Sequence, residues 1–123
     1  TACRRQRQMC IRDSFWATWC APCKKEMPSL NSLAQKMKYE DFRIITIASG
    51  RNSKEAIDAF FDDNNLNNLK KYRDPRGRIA VKYGVTALPT TVVINSKGIE
   101  IGRIIGDIDW DTTDVRSFFR KLL

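Results

Sequence analysis

The stretch that decides the fold is residues 15–28, which read Phe15-Trp16-Ala17-Thr18-Trp19-Cys20-Ala21-Pro22-Cys23-Lys24-Lys25-Glu26-Met27-Pro28. An aromatic-rich strand end runs into a Cys-x-x-Cys pair, and the second cysteine opens an amphipathic pattern. A cysteine in the first turn of a helix faces unpaired N–H groups and the positive end of the helix dipole, which favour the thiolate. Pro22 suits that turn, where its missing N–H is no loss. The stretch predicts a thiol–disulfide exchange site, with Cys20 at the exposed end and Cys23 more covered.

The length and composition predict one small globular domain. The chain has 123 residues, of which 42% are hydrophobic, enough for one modest core. Its longest apolar runs cover only a few residues and are too short to cross a bilayer. The chain begins at Thr1 without a charged-then-apolar leader, so we expect a targeting segment to be missing from this fragment.

The net charge of +8 raises the question of nucleic-acid binding. Part of the excess comes from arginines near the N-terminus, at Arg4, Arg5, Arg7 and Arg12. Elsewhere Lys and Arg alternate with Asp and Glu, which is typical of a solvated surface. Because a basic stripe with interleaved aromatic residues is absent, we expect no nucleic-acid partner.

The four cysteines leave a zinc site as the rival interpretation. Two of them form the Cys20–Cys23 pair, and the other two are Cys3 and Cys10. A four-cysteine zinc site normally has two Cys-x-x-Cys knuckles, whereas Cys3 and Cys10 are seven residues apart and the chain has no His. We therefore expect no metal, and a zinc-stabilised or basic binding module without redox activity remains the alternative.

The first fourteen residues do not read as part of the domain. A central parallel strand before Phe15 should be a near-continuous apolar run, but Arg12 and Asp13 stand there instead. We expect residues 1–14 to be disordered or artefactual and the domain to span residues 15–123. A frayed surface arm, or a truncated and weakly active domain, are the other interpretations of this segment.

The remaining pattern predicts an α/β fold with a mixed sheet flanked by helices. The expected order is (strand)–helix–strand–helix–strand–helix–strand–strand–helix. A helix over residues 22–38 is expected to kink at Pro28. Later helices are expected to start at the capping-box pattern of residues 52–55, at Asp74 with Pro75, and at Asp111. A short edge strand is expected at residues 69–73.

Two further residues are candidates for the chemistry. Leu88–Pro89 precedes a β-branched strand and is a candidate cis bond, in which the proline presents backbone for substrate pairing. Glu26 lies one helical turn after Cys23 and could accept or donate its proton. From the pattern alone an exposed helix carboxylate is favoured for Glu26.

Together these motifs resemble the thioredoxin-like family, and more narrowly its TlpA/ResA-type membrane-tethered thiol–disulfide oxidoreductases. The resemblance covers residues 15–123 and rests on residues 15–28, on Asp74, Gly77 and Tyr83-Gly84-Val85, and on Leu88-Pro89-Thr90-Thr91. It implies a sheet of four or five strands flanked by helices, with an extra helix–strand insertion before Pro89.

The resemblance also implies the role of each site residue. Cys20 would be the nucleophile, Cys23 the resolving thiol and Glu26 the acid/base carboxylate. Pro89 would be the cis-proline, and the substrate would dock against a surface formed by Trp19, Pro22, Leu88 and Pro89. The Cys20–Cys23 disulfide would be the only redox group, with no separate cofactor.

At the level of the cell, the resemblance implies a reductant of protein disulfides. Such proteins work outside the cytoplasm, in the periplasm or anchored to face it, often on apocytochrome c thiols during cytochrome c maturation. A membrane thiol-transporting reductase would restore the dithiol, and we expect a monomer. The other enzymatic possibilities are a net disulfide oxidant and a general reductase without cytochrome specificity. One departure is Ser14, which stands where thioredoxins carry a buried acid; another is the absent anchor.

Overall fold

The computed structural model describes residues 9–122, with side chains from Ser14 onward. Five strands form one sheet, and four helices flank it in this part of the chain. In chain order the elements are β1 (Met9–Trp16), α1 (Ala21–Lys36), β2 (Phe42–Ser49), α2 (Lys54–Asp63), β3 (Lys70–Asp74), α3 (Arg78–Lys82), β4 (Thr90–Ile94), β5 (Glu100–Ile105) and α4 (Thr113–Leu122). From residue 9 to residue 122, no helix has both the length and the apolar character needed to cross a membrane.

The sheet is mixed, as predicted, and has the order β3-β2-β1-β4-β5. Strands β1, β2 and β3 are parallel, while β4 is antiparallel to β1, and β5 is antiparallel to β4. The predicted edge strand is confirmed as β3. The carboxyl ends of three parallel strands therefore lie at the same edge of the sheet as the beginning of β4, which is where ligands bind in open α/β sheets.

The central strand includes residues that we expected to lie outside the domain. Backbone pairing of β1 begins at Met9 on the β2 side and one residue later on the β4 side. The backbone of residues 9–14 thus belongs to β1, and the assignment of the family domain to residues 15–123 stays a prediction. The origin of residues 1–14 is a separate question and stays a prediction. Residues 1–8, and with them Cys3, lie outside the described residues.

A bulge explains why β1 does not read as a central strand. The register shifts by one residue between Ile11 and Ser14 against both neighbours, at the charged pair Arg12–Asp13. A bulge of this kind leaves one residue unpaired and breaks the alternation on which strand prediction depends. Ladders on both sides of β1 hold the strand despite an unfavourable local pattern.

Two apolar clusters cover the two faces of the sheet. The larger contains the buried faces of α1, α2 and α4, and the smaller is covered by α3. Aromatic side chains dominate the larger cluster, which includes Trp16, Phe42, Phe61, Trp110 and Phe119. Cys20 and Cys23 belong to it, so the sulfur pair rests on the main core of the domain.

Three of the predicted helix starts differ in detail. Helix α2 is capped by Ser53, whose Oγ accepts the Ala56 N–H at 3.0 Å, rather than by Asn52. Helix α3 begins after Gly77, which has the left-handed φ of 65° that suits glycine. Asp74 is not its N-cap, although its carboxylate accepts the N–H groups of Ile79 and Ala80 at 3.0 and 3.1 Å.

The cap of the last helix lies one residue after the expected Asp111. Thr112, not Asp111, accepts a first-turn N–H of α4, and Asp111 instead pairs with Lys36 and Arg116. Phe119 is buried, whereas Phe118 is 56% exposed. Pro28 lies inside α1 as expected, and the kink there stays a prediction.

Candidate active site

The candidate site lies where the carboxyl end of β1 meets the beginning of β4. Phe15 of β1 pairs with Thr90 of β4, so the residues after Trp16 and those before Thr90 meet at one edge of the sheet. The Cys-x-x-Cys pair follows β1, and Pro89 precedes β4 directly. The topology therefore brings together two motifs that are far apart in the sequence.

Cys20 and Cys23 form a disulfide at the N-terminus of α1, with Cα atoms 5.3 Å apart. Cys20 is the N-cap residue, and its carbonyl accepts the Lys24 N–H at 3.1 Å. Cys20 was predicted at the exposed end of the helix; it is 8% exposed, against 1% for Cys23. Both sulfurs are thus well covered, and Cys20 is the one nearer to solvent.

Trp19 and Pro22 flank the disulfide on the surface. Trp19 is 67% exposed, and Pro22 is exposed in the first helical turn. The Cys20 N–H donates to the Ala17 carbonyl at 3.1 Å, which closes a tight turn before the helix. This turn holds the Trp19 ring out toward solvent.

Asn52 fixes the turn that precedes Cys20, a role that sequence reasoning missed. Its Oδ1 accepts both the N–H and the hydroxyl of Thr18, at 2.7 and 2.8 Å. Its Nδ2 donates to the carbonyls of Ser49 and Gly50 at the end of β2, at 2.9 and 3.3 Å. One amide side chain therefore ties the Trp19 turn to the neighbouring strand end.

The peptide bond between Leu88 and Pro89 is cis. Pro89 is buried, and its carbonyl accepts the Gly106 N–H at 2.8 Å. The Thr90 hydroxyl donates to the Ala87 carbonyl at 2.6 Å, which fixes the loop from its other side. Leu88 is half-buried and lines a surface groove together with Trp19. The structure thus places two of the residues expected to form the docking surface, Trp19 and Leu88, in one groove.

Glu26 is buried, contrary to the exposed position that its sequence pattern favoured. It lies one turn after Cys23 and is 4% exposed. Burial raises the pKa of its carboxyl to about 7, Asp107 adds to the rise, and a hydrogen bond from the Trp110 indole opposes it. The site therefore holds a carboxyl group whose proton is exchangeable near neutral pH.

Trp110 also holds the α1 backbone around Glu26. The backbone N–H of Trp110 donates to the Ser29 hydroxyl at 3.0 Å, and that hydroxyl donates to the backbone carbonyl of Glu26 at 2.9 Å. Because these groups come together only in the fold, no local sequence signal pointed to Trp110. The tryptophan binds the same helical turn through its ring and through its backbone.

Ser14 occupies the buried position where an acid was expected from the family pattern. Its hydroxyl lies 3.1 Å from the Thr91 hydroxyl, within hydrogen-bond distance, and both residues are buried. Among residues 14–122 the buried carboxyl groups are those of Glu26 and Asp74. Since the Asp74 carboxylate accepts two N–H groups of α3, Glu26 is the buried acid available to the disulfide.

No metal-binding cluster is found in the part of the chain that the structure describes. Among the residues that the structure describes, no group of three or more His, Cys, Asp or Glu side chains could hold one. Cys20 and Cys23 are bonded to each other. The zinc hypothesis also involved Cys3 and the side chain of Cys10, which are outside the described part of the chain.

Known proteins with similar sequences include several named as thiol–disulfide oxidoreductases. The chain is 36% identical over 102 residues to the thiol-disulfide oxidoreductase ResA of Bacillus thuringiensis subsp. konkukian, covering 76% of this chain and 53% of that protein. It is 32% identical over 111 residues to the thioredoxin-like protein YneN of Bacillus subtilis, covering 89% and 61%. The chain thus spans about half the length of the first of these curated relatives.

Solved structures show the same fold. StoA from Bacillus subtilis superposes with a TM-score of 0.77 at 23% identity, covering 92% of this chain and 83% of that one. A secreted disulfide oxidoreductase from Mycobacterium tuberculosis gives 0.78 at 24% identity, covering 95% and 84%. Residues 14–100 match the family model described as thioredoxin-like. The chain therefore belongs to the thioredoxin-like family.

Proposed function

We propose that this chain is a thiol–disulfide oxidoreductase that reduces protein disulfides by exchange at Cys20 and Cys23. The observation that carries the proposal is the Cys20–Cys23 disulfide at a helix N-terminus, beside the exposed Trp19 ring and the Leu88–Pro89 bond. The names of the relatives support the same chemistry.

The reaction starts from the reduced pair and moves two electrons to the substrate. The Cys20 thiolate attacks one sulfur of a substrate disulfide and forms a mixed disulfide with it, and the other substrate sulfur leaves as a thiolate that takes up a proton. The Cys23 thiolate then attacks the Cys20 sulfur and releases the second substrate thiol. The Cys20–Cys23 disulfide remains. The greater exposure of Cys20 supports its role as the nucleophile.

Glu26 is proposed as the acid/base group for Cys23. The resolving thiol must lose its proton in a covered position, and a carboxyl with a pKa of about 7 can accept that proton near neutrality. Its place one turn after Cys23 on α1 supports this role. In the reverse direction the same carboxyl returns the proton.

Trp19, Pro22, Leu88 and Pro89 are proposed to dock the substrate. Trp19 and Pro22 are exposed, and Leu88 is half-buried and lines the groove together with Trp19. Pro89 has no N–H that could compete for the same hydrogen-bond partner. The backbone of the residue before it can therefore pair with an extended substrate segment. No cofactor beyond the disulfide is included in the proposal.

For the cellular role we propose a reductant that works as a monomer outside the cytoplasm. The similarity to ResA and to a secreted disulfide oxidoreductase supports that location. Apocytochrome c with its cysteines oxidised to a disulfide is the proposed substrate class, and a membrane thiol-transporting reductase is proposed to restore the dithiol. A measured reduction potential of the Cys20/Cys23 pair would decide between this role and that of a net oxidant.

The proposal is tested by reduction of insulin disulfides with dithiothreitol as the electron source, in a background with Cys3→Ser and Cys10→Ser. Cys20→Ser is expected to abolish reduction, whereas Cys23→Ser is expected to accumulate mixed disulfides with insulin. Mass spectrometry under non-reducing conditions detects those adducts. Equal behaviour of the two variants would contradict the assigned roles, and inactivity of the parent protein would contradict the function itself.

A further inference from the structure

A groove of about 390 Å³ runs from the candidate site across the ends of the parallel strands. The groove is lined by Trp19 and Leu88, which directly precede Cys20 and Pro89 in the sequence, and by Arg51 and Arg76. Arg51 follows the end of β2 and Arg76 follows the end of β3. The two arginines therefore come from adjacent strand ends on the same side of the site.

The two loops that carry these arginines are joined by their backbones. Ser49 at the end of β2 pairs with Asp74 at the end of β3. The Asp74 carbonyl accepts the N–H groups of Gly50 and Gly77, at 2.9 and 3.0 Å. Both glycines have a positive φ, 80° and 65°, so each loop turns directly after its strand. The arginines are thus attached to a fixed base, although their side chains are exposed.

Within residues 14–122, no acidic side chain in the groove balances the positive charge of the two arginines. None of the described residues that line the groove is acidic, and neither Arg51 nor Arg76 makes an ion pair with any residue from 14 to 122. The carboxylate nearest to Arg76 in sequence, Asp74, is buried and accepts two α3 N–H groups, and the one nearest to Arg51, Glu55, makes no ion pair with it. Two unpaired guanidinium groups beside an apolar surface are complementary to a peptide that carries acidic side chains.

We propose that this groove selects polypeptide substrates with acidic residues beside the reacting cysteine. The proposal rests on the proposed function and names the substrate class of the same site. A substrate cysteine at Cys20 places the neighbouring substrate residues over Trp19 and Leu88, and the residues beyond them over Arg51 and Arg76. The apolar end of the groove provides contact area, and the arginines provide selectivity.

The test uses three synthetic peptides that differ only in charge. Each contains one cysteine in a disulfide with the same reporter thiol, flanked on one side by two Asp, two Gln or two Lys residues. The rate of reporter release by the reduced protein is measured for each peptide at low and high ionic strength, in the Cys3→Ser/Cys10→Ser background. The Asp peptide is expected to react about tenfold faster than the Lys peptide at low ionic strength.

Two double variants separate the groove from the net positive charge of the chain. Arg51→Gln/Arg76→Gln is expected to reduce the preference to about twofold, with the Gln peptide unaffected. Lys97→Gln/Lys121→Gln removes the same charge from exposed positions outside the groove and is expected to keep the preference.

The possible results distinguish the two proposals. Equal rates for the Asp and Lys peptides, or equal losses of preference in the two double variants, would overturn the groove proposal and leave the oxidoreductase activity intact. Failure of the parent protein to react with the neutral Gln peptide would overturn both.

Discussion

The indole N–H of Trp110 donates a hydrogen bond to Oε1 of Glu26 in the protein interior, joining residues that are 84 positions apart. The donor favours the ionised carboxylate, whereas burial favours the protonated acid, and burial is the larger effect. The pKa of Glu26 therefore rises only to about 7. Because the two effects oppose each other, the Glu26 carboxyl can gain or lose a proton near physiological pH. A fully desolvated acid has a higher pKa and would lose its proton less readily.

We expect Glu26→Gln to stabilise the oxidised protein at neutral and alkaline pH. The native state binds the Glu26 proton more tightly than the unfolded state, so stability falls as pH rises from about 4.5 to about 7 and stays lower above that window. A pKa shift of this size corresponds to about 3 kcal/mol. Gln removes the titration while its side-chain oxygen can still accept the Trp110 N–H. Urea unfolding across the pH range measures the difference.

The matched control for this prediction is Glu55→Gln, at an exposed position in the first turn of α2. It is expected to change the free energy of unfolding by less than about 0.5 kcal/mol at every pH. A Glu26→Gln gain that is the same at pH 4 and pH 8 would show that ionisation of Glu26 is not its cause.

Trp110→Phe is expected to raise the pKa of Glu26 further. The variant removes the donor that stabilises the carboxylate and leaves the burial in place. Trp16→Phe is the matched control because Trp16 is equally buried, and within residues 14–122 its indole N–H makes no hydrogen bond. Carbon-13 NMR of the Glu26 carboxyl gives the pKa of each variant. The assigned role of the Trp110 N–H is wrong if both variants shift that pKa by the same amount.

Local patterns were enough to predict most elements and the redox pair. The positions of Cys20 and Cys23 at a helix start follow from a short motif, and β3 and β4 follow from runs of residues with turn signals on either side. These features depend on interactions between residues that are close in the sequence. The order of the strands in the sheet depends instead on pairing between distant segments, and no local pattern of residues specifies it.

The errors came from features that depend on distant partners. The first strand was included in the predicted order, but residues 9–14 were not assigned to it, because ladders to β2 and β4 hold this segment and a bulge at Arg12–Asp13 interrupts its pattern. The burial of Glu26 depends on Trp110, which no helical periodicity around Glu26 could reveal. Asn52 read as part of a helix cap because its partner Thr18 is 34 residues away. In each case contacts between residues far apart in the sequence decided the structure, and the pattern of neighbouring residues did not reveal those contacts.

Asn52→Ala is expected to loosen the turn that carries Trp19. The variant removes two acceptor contacts to Thr18 and two donor contacts to the end of β2. Because these groups are partly buried, the loss is expected to cost about 1–3 kcal/mol in the free energy of unfolding. Hydrogen exchange of the Thr18 amide is expected to accelerate. Asn67→Ala, at an exposed position, is the control, and unchanged Thr18 exchange would contradict the role of Asn52.

In the reduced protein, we expect Cys20 to react with iodoacetamide faster than Cys23 at pH 7. Cys20 is the N-cap of α1 and is the more exposed of the two, whereas Cys23 is buried in the larger core cluster. Thiolates are the reactive form, and a helix N-terminus favours them. Rates are compared across pH in Cys20→Ser and Cys23→Ser variants, both carrying Cys3→Ser and Cys10→Ser. The oxidised parent protein should not react, and a Cys20 that is inert at pH 7 would remove the basis for its role as the attacking group.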